Sequence, residues 1–162
     1  MNLKRLTAVV IAAVAMDAAP VHAAPPPAAL PVTIAIKAAR VALAACVSEG
    51  LTITVTVTDR EGVPRVILMS DGTGALSVIT SRRKAYTAAA LGITTAQLAK
   101  NAAAMNFVPE SIDPEPVALQ GGVPILRHGV VVGGLGVGGA DRGDADEVCA
   151  IAGLESIKGD LN

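Results

Sequence analysis

The residues from Arg127 to Gly139, RHGVVVGGLGVGG, place Gly134, Gly136 and Gly139 in the spacing of a dinucleotide-binding loop. Such a loop brings bare backbone against a pyrophosphate at a helix N-terminus. It needs a parallel strand-helix-strand unit and an acidic ribose partner about 20 residues further on. Only 23 residues follow Gly139 and none reads as a strand, so the spacing is coincidental. The glycines point instead to close approach of a strand to a helix, a neighbouring subunit or a flat ligand. Eight of the chain's 16 glycines lie between Gly121 and Gly139, which concentrates that approach in one region.

Other side chains offer chemistry only in isolation. His128 is the one histidine beyond the amino-terminal leader. A single imidazole can ligate haem iron, or it can be a solvated residue of a hairpin turn. No spaced cluster of ligands surrounds it, which argues against zinc. Arg82, Arg83 and Lys84 can hold propionates or another anion, or can form a solvated helix face. Asp141, Asp144, Asp146 and Glu147 lack the spacing and terminal bidentate glutamate of a calcium loop, and suit a helix N-terminus. No serine sits in a nucleophile elbow, no P-loop occurs, and a triad would have to use His128 at a turn. The residues therefore derive no enzyme.

The elements that must position these groups begin after a leader. Lys4 and Arg5, an apolar run from Leu6 to Met16 and the small-x-small site Val21-His22-Ala23 make residues 1–23 a secretory signal peptide. The protein is accordingly expected to be periplasmic or secreted, with no membrane span once the signal is removed. Of 13 basic residues, loss of Lys4 and Arg5 leaves 11; of 14 acidic residues, loss of Asp17 leaves 13. So nearly neutral a chain has no electrostatic case for nucleic acid. Tyr86 and Phe107 are its only aromatics, so the core must be aliphatic and rich in alanine. Cys46 and Cys149 both survive into a compartment where disulfides persist and are expected to be bonded; two buried, inert thiols are the alternative.

Five of the ten prolines lie between Pro20 and Pro31, and residues 24–32 read as a Pro/Ala-rich tether to a domain over 33–158. A helix starts near Thr33, with Cys46 opposite the stripe of Lys37, Arg40 and Ser48, and stops at Gly50. Alternation over Leu51–Asp59 predicts a half-buried strand with its threonines outward, paired through Arg60-Glu-Gly62 with a strand over Pro64–Met69. Beyond the Asp71-Gly72-Thr73-Gly74 loop come a helix over Ser77–Ala90 and a short one begun by Thr94, with Gln97 placed for a capping box. Prolines 109, 114 and 116 keep the next stretch irregular. His128-Gly129 then joins a strand from Gly121 to one over Val130–Val137, and a final helix runs from Asp144 to near Ile157. Strands joined by short turns are antiparallel, so the fold is α+β, a mostly antiparallel sheet with helices packed on it.

Taken together, VTVTDREGVPRVILMSDGTG, SRRKAYTAAALG, GGVPILRHGVVVGGLGVGG and DEVCAIAGL resemble the GlcG/HbpS-like haem-binding or haem-degrading proteins, related to the C-terminal domain of PduO-type corrinoid adenosyltransferases. The resemblance implies a profilin-like antiparallel sheet of about five strands with helices on its faces, commonly a homo-oligomer, and cysteines in the first and last helices. Exported members often carry a histidine soon after the D-G-x-G loop, where this chain has Ala75-Leu76-Ser77. The expectation is an exported small-ligand-binding protein, with haem or a similar tetrapyrrole as ligand. The alternatives are a cofactor-free oligomeric accessory or sensor protein and a haem-degrading enzyme. The expected haem groove lies between the loop, at Asp71, Gly72 and Gly74, and the glycine-rich strand. Arg83 and Lys84 would hold propionates; His128, or else Tyr86 or a methionine, would ligate iron.

Overall fold

The computed structural model describes residues 29–111 and 114–162; the expected signal peptide and most of the expected tether lie outside them. Leu30 is already part of the core, and helix α1 (Val32–Ser48) follows directly. Strands β1 (Thr54–Asp59) and β2 (Pro64–Met69) form the first hairpin. Helices α2 (Ala75–Leu91) and α3 (Thr95–Ala104) come next, then strands β3 (Gly122–Arg127) and β4 (Val130–Gly138) and helix α4 (Gly143–Ile157). The local signals act as the sequence reading has them. Gly92 ends α2 in a left-handed conformation, and the Thr94 hydroxyl accepts from the Gln97 N–H. The Gln97 side chain turns instead to Asn101, so only half of the capping box forms. His128 and Gly129 both take positive φ, as a two-residue hairpin turn of the favoured hand requires.

The sheet is antiparallel throughout, in the order β2-β1-β4-β3, with four strands among the described residues where about five are expected. Its two faces are chemically unlike. One carries Val55, Val57, Val123, Ile125, Leu135 and Val137 against the alanines of α1 and the inner side of α4, which together form the aliphatic core. Cys46 of α1 and Cys149 of α4 are bonded within it, their Cα atoms 5.6 Å apart.

The opposite face is where the structure departs from the sequence reading. β1 is central rather than half-buried, because α2 lies across its threonine side. Thr54 pairs with the Ser77 hydroxyl at 2.7 Å and Thr56 with that of Ser81 at 2.9 Å, both buried. A buried hydroxyl is tolerable only with such a partner. Beside the threonines on this face, in register with them, stand Gly138, Gly136 and Gly134 of β4. A Cβ on Gly134 would stand 2.1 Å from the Ala85 carbonyl oxygen, and one on Gly136 would stand 2.2 Å from that of Ser81. Of the three neighbours open to the glycine-rich strand, the structure supplies the helix, so these glycines pack inside the fold and do not form a nucleotide loop.

Candidate functional site

Where α2 and α4 begin, the end of β4 opens into a cleft of about 420 Å³. Three stretches build it. The β2–α2 loop is folded on itself by Ser70 and Thr73, whose hydroxyls meet at 2.7 Å, and it delivers Gly74 and the first turn of α2. Beyond β4, Gly139, Ala140 and Asp141 lead into Gly143 at the start of α4. Leu119 comes from the segment before β3. Leu76 and Leu119 are 70% and 53% exposed and supply apolar walls. Thr52, Thr73, Ser77 and Thr80 supply hydroxyls, while Gly74, Gly139 and Gly143 leave stretches of bare backbone.

Lys84 and Asp146 also line the cleft, though their side chains are only 4% and 3% exposed. The Lys84 ammonium donates to Asp146 Oδ2 at 2.6 Å and to the Val137 carbonyl at 2.8 Å, and Asp146 Oδ1 accepts from the Ala140 N–H. The pair fastens α2 to the end of β4 and the start of α4. Burial pushes the Asp146 carboxyl above its ordinary range, against the opposing pull of the Lys84 charge. With Asp141, the charged side chains that line the cleft among the described residues are one cation and two carboxylates.

The residues expected to form one site are thus distributed over three places. Gly74 and Lys84 line the cleft, and Asp71 and Gly72 are exposed in the loop that leads to it. Arg83 points to the other side of α2, where it donates to the carbonyls of Pro114, Glu115 and Pro116 and tacks that segment down. Arg82 pairs with Glu115 at 2.9 Å. Three consecutive cations therefore serve two structural tasks, and Lys84 has its charge answered by Asp146 rather than standing ready for a propionate. His128 is exposed at the tip of the β3–β4 hairpin. It lies at the far end of β4 from the cleft, on the order of 25–30 Å away at a strand's rise per residue. Tyr86 lies against Gly62 beyond the middle of α2, roughly 18 Å along the helix from Gly74.

Sequence reasoning missed Asp146 as a site residue, since its partner is 62 positions away and only the fold joins them. It also missed the hydroxyls of Thr52, Ser77 and Thr80. Their one signal is the threonine alternation of β1 continued by serines at Ser77 and Ser81, one helical turn apart.

Comparison with known proteins gives a consistent picture. The family model for the haem-degrading protein HbpS-like matches residues 30–155. A double variant of HbpS from Streptomyces reticuli is 37% identical, with a TM-score of 0.76 over 88% of this chain and 97% of that one. PduOC, solved as a complex with haem, is 23% identical, with a TM-score of 0.74 over 81% of this chain and 96% of its own. The Klebsiella pneumoniae protein ORFY is 21% identical at a TM-score of 0.72, covering 78% and 89% of the two chains. No functionally curated protein matches the chain.

Proposed function

This chain belongs to the HbpS-like haem-degrading protein family, and from that premise we propose that it is an exported protein that binds haem or a related tetrapyrrole in the cleft between α2, β4 and α4. The observation that carries the reading is the 37% identity to HbpS across nearly the whole domain. The walls of the cleft support it for the macrocycle itself. At Gly74, where a Cβ would meet only open space, bare backbone lets a flat ring approach closely, Leu76 and Leu119 can cover its faces, and hydroxyls stand ready at its edge. Haem bound here would supply redox and oxygen chemistry; this chain's residues would hold the ring and exclude water from part of its surface.

The iron and the propionates are served less well. Among the described residues, neither a histidine, a cysteine, a methionine nor a tyrosine lines the cleft, and the one cation that does is already paired. The buried disulfide supports an oxidising compartment, periplasmic or extracellular, and among the described residues no helix is long and apolar enough to cross a membrane. Self-association remains part of the proposal, but not through the glycine-rich strand, which α2 covers.

Haem titration of the purified protein tests the reading. The expected result is a saturable Soret shift with one haem per chain or per small assembly. A shift no different from that given by an unrelated apolar protein would leave the cofactor-free accessory role as the better account.

A further inference from the structure

We infer that the cleft recognises a tetrapyrrole by its faces and edge and not by its metal, so that this protein does not distinguish haem from iron-free porphyrin. The inference rests on the tetrapyrrole reading above and adds to it the basis of specificity.

Side chains that ordinarily hold haem iron are His, Cys, Met and Tyr. His128 and Tyr86 are remote from the cleft, Cys46 and Cys149 are bonded in the core on the opposite face of the sheet, and neither Met69 nor Met105 lines the cavity. Of the polar groups that line it, Thr52 and Asp141 are exposed, and the others have partners within the protein. The Lys84 amine is held between Asp146 and the Val137 carbonyl. Ser77 Oγ donates to the Gly74 carbonyl at 2.6 Å or to Thr54, and Thr73 Oγ1 reaches the Ser70 carbonyl at 2.8 Å. Thr80 Oγ1 stands 3.2 Å from the Ser77 carbonyl oxygen. Asp141 is exposed at the mouth, and a carboxylate is not among the usual ligands of haem iron. What is left for recognition is shape, apolar contact with Leu76 and Leu119, and hydrogen bonding at the ring's edge, all of which porphyrin offers with or without iron.

The test is equilibrium dialysis of the purified full chain against haem and, separately, against iron-free protoporphyrin, with His128→Ala and Tyr86→Phe variants alongside. The expected dissociation constants agree within about threefold, well under the tenfold that 1.4 kcal/mol represents, and neither variant changes either constant. Haem binding more than about tenfold tighter than protoporphyrin, with the difference lost in one of the variants, would overturn the inference while leaving the tetrapyrrole reading intact. Failure of both ligands to bind would overturn that reading, and the inference with it.

Discussion

At the scale of single residues, the glycines of β4 carry a sharp expectation. Gly136→Ala would drive a methyl against the backbone of Ser81 and Ala85, neither of which is the yielding end of a side chain. It should cost at least about 2 kcal/mol, at the upper part of the overpacking range. Gly74→Ala is the control, because nothing lies within 4 Å of a Cβ built there, and it should cost under about 1 kcal/mol. Urea denaturation of the two variants checks both; similar midpoints would mean that α2 does not sit on the strand as described. The buried Lys84–Asp146 pair gives a second expectation. Asp146→Asn strands a buried ammonium and should cost about 3–5 kcal/mol. A carboxyl raised above its ordinary 3.8 binds its proton more tightly in the folded chain than in the unfolded one. Its contribution to stability is therefore greatest in acid and declines as pH rises from about 4 through the raised value. The wild-type advantage over Asp146→Asn should shrink along that range; an advantage that grows with pH would mean that the Lys84 charge outweighs burial. Neither the pair nor the shared hold of Arg82 and Arg83 on residues 114–116 could be read from the sequence, because a run of three cations looks the same whether its partners are solvent, carbonyls or a carboxylate 62 positions away.

At the scale of elements, helix and strand positions were largely legible, since Gly50, Gly92, Thr94 and the His128-Gly129 turn punctuate the chain with specific backbone chemistry. What was not legible was the burial of β1. Alternating valine and threonine gives the same pattern whether the threonines meet water or the hydroxyls of a helix, and only Ser77 and Ser81 hinted at the second. The disulfide was anticipated from compartment, and it joins α1 to α4 across 103 positions of sequence. Closing so long a loop should contribute about 4–5 kcal/mol by chain entropy, within a customary range of about 2–5 kcal/mol for native disulfides. Denaturant curves with and without reductant should differ accordingly, and a Cys46→Ser/Cys149→Ser double variant should follow the reduced curve. Superimposable curves for oxidised and reduced protein would contradict a structural role for the bond.

For the whole molecule, hairpin connections dictated an antiparallel sheet, but not that β1 and β4 are its central strands or that one end of β4 opens into a cleft. Those depend on pairing between segments some 80 residues apart, for which local sequence carries no register. The same distance explains why His128 looked like a companion of the Asp71–Gly74 loop. His128 stands at the start of β4, whereas the β2–α2 loop delivers Gly74 beside the end of that strand. The ligand is proposed to sit in the cleft beside Gly74, and a Gly74→Leu variant probes that placement. The new side chain starts from open space in an extended backbone conformation, so it obstructs the cleft without straining the fold. With the denaturation midpoint little changed, haem affinity should fall at least about tenfold, a loss of roughly 1.4 kcal/mol. Unchanged affinity in a folded Gly74→Leu protein would place the ligand elsewhere on the molecule and contradict the account.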